Sequence, residues 1–555
     1  MTVTRTASPQ TRGRRLVDAV FGRLLKLPPG QAGYTVARDL PIPMRDGVVL
    51  RADVLHPAGP VLGTVLLRSP YGFDPVNGSL YGGLFAARGY RVVQARVRGT
   101  FGSGGGAFYP MRHEVDDAAD TVAWLREQPW FDGRFATFGG SYLGFTQWAL
   151  LMDPPPELVT AIIQVGPHDF RDGMYEGGAA ELSTWVGWAD AVTHQEQHSL
   201  LGNALRVFTG TRRQAAALRH LPMAAAVDEL CQARAPWFRD FATHRDPADP
   251  FWAPMQLSAA LDRVQVPVLL QGGWQDLFLR QTLAQYQHLS GRGVDVALTV
   301  GPWTHADFAT KAGGLIINEM LGWLGQHLAG TGTWMRATPV RLYVTGTGPG
   351  TGTGQWRDLR AWPPAAQEHV LYPQPGGQLS AEAAPAGPGP ATFTYDPADP
   401  TPTIGGRALV PPFGYADDSA LAGRGDVLAF TGSPLPGPVE VHGTPVAELA
   451  HRTDRPADLF VRISEVDPQG KSRNVSDAFL RLDPDYRDGV VRIELDPVAH
   501  RFAAGNRIRL LVAGGSFPRW ERSLGTSEPA ATSVAMAPSH RSIDPAGSSL
   551  RLPVV

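Results

Sequence analysis

Residues 135–144 decide the fold prediction, and they read Phe-Ala-Thr-Phe-Gly-Gly-Ser-Tyr-Leu-Gly. The four residues at 135–138 have the apolar and aromatic character of a buried strand. Two glycines lead into Ser141, and a helix is predicted to begin near Tyr142. A serine on such a tight turn projects its hydroxyl above the sheet, where the N–H groups of the following helix favour a developing negative charge. The stretch therefore predicts a strand–turn–helix unit that carries a nucleophilic Ser141.

A second Gly-Gly-Ser sequence, at 514–516, shows that the tripeptide is weak evidence by itself. The chain has 63 glycines, so such sequences arise by chance. Ser516 is followed by Phe517 and Pro518, and the residue before a proline avoids helical backbone angles. We therefore expect Ser516 in a loop, and only Ser141 in a turn between a strand and a helix.

Strands alternate with helices around this unit. Residues 63–67 and 90–93 read as strands, and 115–127 read as an amphipathic helix with acidic residues in its first turn. Alternating strands and helices predict a mostly parallel sheet that helices cover on both faces. From about 168 to 256 the strand signals stop and helical spacing takes over, which indicates a helical insertion.

The strand–helix pattern then returns and changes once more. Residues 266–270 and 294–300 read as strands of the same sheet. After about 336, short alternating runs such as 340–344, punctuated by glycine and proline, are typical of a β-sandwich or jelly roll. The predicted organisation is an N-terminal arm with a short helix (1–34), an α/β catalytic domain (35–167 and 257–335), a helical cap inserted into it (168–256), and a C-terminal β jelly-roll domain (336–555).

Composition excludes several classes of protein. The chain has 555 residues, a hydrophobic fraction of 43% and a net charge of −2, so it can bury a large core and lacks the basic excess of a nucleic-acid-binding protein. Its one cysteine, Cys231, rules out an internal disulfide and a cysteine-based metal site. No run of 18 apolar residues exists that could span a membrane. We expect no metal, no other cofactor and no nucleic-acid partner.

The N-terminal arm is predicted to contain an amphipathic helix that ends before Pro28. Asp18, Arg23 and Lys26 interrupt the uncharged apolar core that a secretory signal needs. With no export signal and a single cysteine, the expected location is the cytoplasm. A helix that lies on a membrane surface is the alternative interpretation of this arm.

A nucleophilic serine needs a base, and the base needs a carboxylate that orients it. In open α/β sheets such groups follow the carboxyl ends of strands. Asp276 comes shortly after the strand at 266–270, and His305 shortly after the strand at 294–300. The chain order Ser141, Asp276, His305 is the order of an α/β-hydrolase. These three residues are the candidate catalytic triad.

Further motifs extend along the chain in a fixed order, at 66–71, 98–99, 128–130, 139–144, 272–276, 301–305, 356–357, 362–364, 467–470 and 516–519. Together they resemble the cocaine-esterase-like (CocE/NonD) serine hydrolases, which share a fold with X-prolyl dipeptidyl aminopeptidases and α-amino-acid ester hydrolases. The resemblance covers about 35–530. One departure from the generic nucleophile turn is that Leu143 stands two residues after the serine, with glycine following at Gly144.

The resemblance implies an α/β-hydrolase core, a helical cap and a C-terminal jelly roll. It implies Ser141 as nucleophile, His305 as base and Asp276 as orienting acid. It also implies an oxyanion hole made by the backbone N–H of Tyr142 and the phenol of Tyr71. A neutral tyrosine can donate a hydrogen bond to an oxyanion at neutral pH.

The expected activity is cleavage of an ester or amide of a small acyl substrate through an acyl-enzyme. The alternatives within the superfamily are an X-Pro dipeptidyl aminopeptidase, a β-lactam or α-amino-acid ester acylase, and an acyltransferase. An aminopeptidase needs carboxylates to pair with a substrate ammonium group, and Asp172, Glu176 and Glu181 are the candidates. A non-catalytic carbohydrate-binding protein built on the jelly roll is the alternative from another class. Homodimerisation is left open.

Aromatic side chains of the cap and of the strand ends are candidates for the substrate pocket, although each is more often simply core. They are Trp185, Trp188, Trp252 and Trp274. His194 and His198 are spaced like two zinc ligands on a helix, but the glutamate stands two positions after the first histidine, where the zinc-peptidase pattern needs it at the next position. We interpret that segment as a polar helix of the cap.

Overall fold

The structure is a computed structural model that describes residues 8–30, 33–73, 78–197, 210, 213–332, 334, 336–346, 354–409, 413–529 and 531–555. The N-terminal arm forms the predicted helix, which runs Arg12–Leu24 and is capped by Thr11, whose hydroxyl accepts a hydrogen bond from the Arg14 backbone N–H. Within these residues no helix is both long and apolar enough to cross a membrane.

An eleven-stranded sheet forms the centre of the catalytic domain. Its strands are β1 (Ser8–Pro9), β2 (Tyr34–Pro43), β3 (Val49–Pro57), β4 (Gly63–Ser69), β5 (Tyr90–Arg96), β6 (Phe135–Gly140), β7 (Leu158–Gln164), β8 (Val268–Gln275), β9 (Val296–Thr304), β10 (Val340–Val344) and β11 (Gln355–Leu359). The spatial order is β1-β2-β3-β5-β4-β6-β7-β8-β9-β10-β11. The seven strands from β5 to β10 in that order run parallel, and the outer strands are antiparallel.

Helices cover both faces of the sheet and build the cap. They are α1 (Arg12–Leu24), α2 (Leu84–Ala86), α3 (Glu114–Arg126), α4 (Tyr142–Leu150), α5 (Phe170–Met174), α6 (Leu182–His194), α7 (Met223–Leu230), α8 (Pro236–Thr243), α9 (Ala259–Arg263), α10 (Leu279–Gly291) and α11 (Gly313–Leu324). A π-helical turn, Ser79–Gly83, leads into α2, and short 3-10 turns lie at Glu176–Gly178, Pro250–Met255, His305–Ala309 and Ser419–Gly423. Between 168 and 256, the described residues form α5 to α8 and two of these 3-10 turns.

The core divides between the two faces of the sheet. All seven residues of β4 are buried, as expected for a parallel strand covered on both sides. Leu66 packs into one apolar cluster, whereas its neighbours Val65 and Leu67 pack into another, because successive side chains of a strand point to opposite faces. Burial on both faces holds the strands of the sheet in position, and the candidate catalytic residues lie just beyond the ends of these strands.

The strand at Val340–Val344 corrects the predicted boundary at 336. It pairs in parallel with β9 and antiparallel with β11, so the catalytic sheet continues to Leu359. The prediction assigned this strand to the jelly roll because alternating polar and apolar residues indicate a strand without identifying its partner.

The C-terminal domain is β-rich. Its strands are β12 (Gln367–Gln374), β13 (Gln378–Ser380), β14 (Ala391–Tyr395), β15 (Val427–Gly432), β16 (Val439–Gly443), β17 (Val446–Thr453), β18 (Asp458–Val466), β19 (Ser472–Arg481), β20 (Asp488–Glu494), β21 (Val498–Phe502), β22 (Arg507–Ala513) and β23 (Ser539–Val554). The long β23 pairs with β12, β14, β16 and β17, so it ties the domain together.

Candidate active site

Ser141 lies on the predicted turn between β6 and α4. Its φ of 60° and ψ of −122° lie in a region that side chains with a Cβ rarely adopt, and such strain marks functional positions. The backbone around it holds the turn in place: the Ser141 N–H donates to the Gln164 carbonyl at 2.9 Å, and its own carbonyl accepts from the Gly144 N–H at 2.8 Å. The hydroxyl is thereby carried at the N-terminus of α4.

Two glycines make this turn sterically feasible. A Cβ at Gly139 would lie 2.5 Å from the Cβ of Leu143. Leu143 stands where the generic motif has its second glycine, so position 139, two residues before the serine, has to be a glycine. A Cβ at Gly144 would lie 2.5 Å from the Cα of Gly166, the residue that follows the end of β7 by two positions. The helix and the strand therefore approach each other closely at Gly144, one position after the second glycine of the generic motif.

Asp276 and His305 meet above the ends of two adjacent strands. Asp276 is fully buried just after β8, and its Oδ1 accepts from the Phe278 N–H at 2.8 Å. His305 begins the 3-10 turn after β9, and its Nδ1 lies 2.6 Å from Asp276 Oδ2. A carboxylate at this distance fixes the proton on Nδ1, so Nε2 presents a lone pair. The ring also packs edge-on against Phe278, with centroids 5.7 Å apart.

Tyr71 places its hydroxyl beside Ser141. The indole N–H of Trp188 donates to the Tyr71 oxygen at 3.1 Å. Burial raises the pKa of Tyr71 to about 12, while hydrogen bonds with Trp188 and Ser141 oppose that rise. The phenol therefore stays protonated near neutral pH and can act as a hydrogen-bond donor.

The side chain of Tyr142 points away from Ser141. Its hydroxyl donates to Glu114 Oε1 at 2.8 Å and accepts from the Met111 N–H at 2.9 Å. The buried Glu114 is itself paired with Arg68 at 2.7 Å. The backbone N–H of Tyr142 is one of the first N–H groups of α4, which a helix leaves without an intrahelical acceptor.

Two cavities meet at Ser141. The larger, of ≈ 290 Å³, is lined by Leu25, Tyr71, Leu80, Tyr81, Phe85, Phe138, Gly140, Ser141, Gln164, Val165, Trp188, His305, Ala306, Phe308, Gly313, Ile316, Ile317, Met320 and Leu409. The smaller, of ≈ 20 Å³, is lined by Tyr71, Met111, Ser141, Tyr142, Pro167, Phe170, Thr184, Trp185, Trp188, Leu277, Phe278, His305 and Leu409. Ser141 and His305 line both, so a bound molecule can extend to either side of them.

The predicted pocket tryptophans separate into two groups. Trp188 lines both cavities and Trp185 lines the smaller one. Trp274 lies elsewhere: its indole N–H donates to the Tyr343 carbonyl at 2.7 Å and its ring packs on Trp362. Trp252 is buried within the cap. Trp274 therefore lines neither of these two cavities, and its place in a substrate pocket stays a prediction.

The carboxylates proposed for a substrate ammonium are mostly occupied by arginines. Glu176 accepts hydrogen bonds from Arg407 and forms an ion pair with Arg280 at 2.7 Å. Glu181 pairs with Arg519 at 3.2 Å. Asp172 is exposed and lines neither cavity. These three residues therefore do not form an ammonium site beside Ser141.

His194, one of the two cap histidines that are spaced like zinc ligands, makes a contact within its own helix. His194 is buried and its Nδ1 lies 2.9 Å from the Asp190 carbonyl, while His198 lies outside the described residues. Over the described ranges no group of three or more His, Cys, Asp or Glu side chains could hold a metal ion.

One wall of the larger cavity, opposite the cap, was not predicted from the sequence. Ile316, Ile317 and Met320 of α11, together with Leu25, line the larger cavity. The only signal was apolar spacing in these helices, which also fits ordinary core packing.

Comparisons with known proteins place the chain in a family. A family model described as X-Pro dipeptidyl-peptidase (S15 family) matches 46–307, and one described as X-Pro dipeptidyl-peptidase C-terminal non-catalytic domain matches 332–546. The chain is an S15-family serine hydrolase. Among S15-like relatives, it is 28% identical to the cocaine esterase of Rhodococcus sp. (strain MB1 Bresler), over 89% of this chain and 93% of that one.

Solved structures show the same architecture. An aminopeptidase from the marine sediment archaeon Thaumarchaeota archaeon superposes with a TM-score of 0.80 at 25% identity, covering 95% of this S15-family chain and 97% of its own. A selenomethionine-labelled α-amino acid ester hydrolase superposes with a TM-score of 0.78 at 24% identity, covering 94% and 97%. The α/β-hydrolase core with a β-rich C-terminal domain is therefore the fold of this S15-family protein.

Proposed function

We propose that this serine hydrolase is a carboxylic ester hydrolase in which Ser141 is the nucleophile, His305 the general base and Asp276 the orienting acid. The observation that carries the proposal is the 2.6 Å contact between His305 Nδ1 and Asp276 Oδ2, made by a histidine that lines the same two cavities as Ser141. A strained serine, an oriented imidazole and a buried carboxylate are the parts that acyl transfer needs.

The reaction begins when Ser141 Oγ attacks the ester carbonyl carbon. His305 Nε2 takes the hydroxyl proton, and the carbonyl oxygen becomes an oxyanion. Collapse of this tetrahedral intermediate breaks the bond to the alcohol oxygen, which receives the proton from His305. Water then attacks the acyl-enzyme, with the same histidine as base, and releases the carboxylic acid and the free serine.

The Tyr142 backbone N–H and the Tyr71 hydroxyl are the proposed donors to the oxyanion. The first lies at the start of α4, where the helix dipole adds to the stabilisation. The hydroxyl oxygen of Tyr71 accepts a hydrogen bond from the Trp188 indole N–H. Because an indole N–H can only donate, the hydroxyl hydrogen of Tyr71 is left for the substrate.

The walls of the two cavities support an ester over a substrate with a free amino group. None of the described residues that line them is an aspartate, a glutamate, a lysine or an arginine. An isolated ammonium group would lose its hydration there without a carboxylate to compensate. The X-Pro dipeptidyl aminopeptidase and the α-amino-acid ester acylase are therefore the less favoured alternatives, while acyl transfer to another alcohol uses the same residues.

Labelling with a fluorophosphonate, read out by peptide mass spectrometry, tests the nucleophile. The expected adduct is on Ser141, and Ser141→Ala should lose both the adduct and turnover of p-nitrophenyl acetate. Ser516→Ala is the matched control, because Ser516 also follows two glycines but is buried, with its Oγ 2.9 Å from Thr403 Oγ1. An adduct that survives Ser141→Ala would overturn the assignment. Faster turnover of Gly-Pro p-nitroanilide than of p-nitrophenyl esters would favour the peptidase.

A further inference from the structure

The larger cavity reaches a part of the chain outside both family matches. Leu25 directly follows α1, and Gly313, Ile316 and Ile317 belong to α11. The matches cover 46–307 and 332–546, so neither α1 nor α11 falls within them. This end of the cavity is therefore built by segments that the two family models do not include.

The N-terminal helix is fixed to two walls of that cavity. On one side, the buried carboxylate of Asp18 accepts a hydrogen bond from Ser79, which begins the π-helical turn carrying Leu80 and Tyr81. Asp18 also accepts from the Tyr34 hydroxyl at 2.7 Å. Since a buried carboxylate is costly unless hydrogen-bonded, these bonds hold α1 in one position.

On the other side, the end of α1 packs against the start of α11. A Cβ at Gly313 would lie 3.0 Å from Leu25 Cδ2, and one at Gly314 would lie 3.1 Å from the Leu25 carbonyl oxygen. The two glycines therefore permit a close contact that brings the Leu25 side chain to the cavity. The segment that follows the N-terminal helix thus closes one end of the cavity.

The two cavities differ in size by more than tenfold, at ≈ 290 Å³ and ≈ 20 Å³. A space of the smaller size holds about one water-sized group. The larger is walled mainly by aliphatic and aromatic side chains, and buried apolar surface is the main source of affinity in such a site. We infer that the substrates are esters with one compact arm and one extended apolar arm, and that the extended arm lies in the larger cavity against Leu25. This inference rests on the proposed esterase function.

Two substrate series measure the extended arm. One lengthens the acyl group in methyl esters from acetate to decanoate, and the other lengthens the alcohol in n-alkyl acetates, all below their micelle concentrations. Each buried methylene should raise kcat/KM by roughly fourfold until the cavity is full. A rise in one series supports the inference and assigns the extended arm to the acyl or the alcohol side. If kcat/KM of the unmodified protein does not change with chain length in either series, the inference is wrong.

Leu25→Trp tests the wall. The side chain is only partly buried, so the larger ring can be accommodated while it occupies the end of the cavity. In the series that rises, the ratio of kcat/KM for the eight-carbon to the two-carbon substrate should fall at least tenfold. Leu24→Trp is the matched control, because its side chain is 71% exposed and lines neither cavity, and its ratio should be unchanged. Equal ratios in the two variants would overturn the role of Leu25.

Failure of the inference can be told from failure of the proposed function. Fluorophosphonate labelling of Ser141 and turnover of p-nitrophenyl acetate test the nucleophile independently of chain length. If Ser141 is labelled but kcat/KM does not change with chain length, only the extended arm is contradicted. If Ser141 is not labelled, the esterase proposal is contradicted, and the inference with it. Thermal melting of both variants establishes that they are folded, and the series on the unmodified protein stands without them.

Discussion

The indole N–H of Trp188 donates a 3.1 Å hydrogen bond to the hydroxyl oxygen of Tyr71. Trp188 belongs to helix α6 of the cap, whereas Tyr71 follows strand β4 of the core. Because the tyrosine oxygen accepts this bond, its own hydrogen is free to turn toward Ser141 and a bound carbonyl. The cap therefore does more than cover the site, since it orients the proposed oxyanion donor.

Tyr71→Phe removes that donor and almost no volume. The oxyanion exists only in the transition state, so the loss should fall on kcat by about 10²–10³-fold, with little change in KM. Thermal melting should stay near that of the unmodified protein, because phenylalanine fills the same space. Steady-state kinetics and melting on this variant measure both. A kcat within about threefold of the original would remove Tyr71 from the oxyanion hole.

Trp188→Phe should lower kcat through Tyr71. If the indole N–H acts by orienting the phenol, the effect of Trp188→Phe should largely disappear in the Tyr71→Phe background, giving a coupling of about 1 kcal/mol or more in a double-mutant cycle. Trp185→Phe is the control, because it removes the same group from the smaller cavity, and its indole N–H makes no hydrogen bond within the described residues. Additive effects of Trp188→Phe and Tyr71→Phe would contradict the positioning role.

The contribution of Tyr71 should not vary with pH in the neutral range. Burial raises the pKa of Tyr71 to about 12, so the phenol keeps its hydrogen, and thus its donor role, until the pH approaches that value. The ratio of kcat for the unmodified protein to that of Tyr71→Phe should therefore be constant between about pH 6 and about pH 9. A ratio that falls toward one in this range would mean that the phenol ionises much earlier.

Gly144→Ala should damage the nucleophile turn. The new Cβ would lie 2.5 Å from the Cα of Gly166, and backbone atoms at that distance must move apart. We expect a lower melting temperature and slow fluorophosphonate labelling of Ser141. Gly291→Ala, at the end of α10, is the control, because a Cβ at that position would meet no atom of the surrounding described residues within 4 Å. Normal labelling in Gly144→Ala would show that the turn tolerates the methyl group.

The contact between the cap and the C-terminal domain should weaken in acid. Burial raises the pKa of Glu521, but Arg481 and Arg245 outweigh it and lower the pKa to about 2, from 4.5. A carboxyl whose pKa is depressed by folding stabilises the protein above its unfolded pKa, and that contribution is lost as the pH falls from about 4.5 toward about 2. The melting temperature should drop across this window, and less steeply in Glu521→Gln than in a control such as Glu382→Gln on an exposed loop.

The elements that sequence reasoning predicts correctly are those defined by near neighbours. The strand before Ser141, the helix after it and the helix of the N-terminal arm follow from residues within a few positions of one another. The candidate triad follows from chain order and strand ends, and the structure brings Asp276 and His305 into contact. Their catalytic roles, and that of Ser141, stay predictions.

What the sequence could not supply are contacts between distant segments. Residues Val340–Val344 are a strand, as predicted, but they belong to the other domain, because their alternation does not say which sheet they join. Glu176 and Glu181 are predicted to be available to a substrate because nothing near them in sequence neutralises them. Arg407 and Arg519, which pair with them, lie 231 and 338 positions away.

The strand and the helix on either side of Ser141, the alternation typical of a parallel sheet and the chain order of the candidate triad can thus be read from the sequence, since backbone preferences and side-chain periodicity are set over a few residues. The contact of Trp188 with Tyr71, 117 positions away, and the closure of the larger cavity by Leu25 are visible only in the folded chain. Those contacts form because helices from separate segments pack over one edge of the sheet. Burial of apolar surface drives that packing, and it can bring together residues at any separation along the chain.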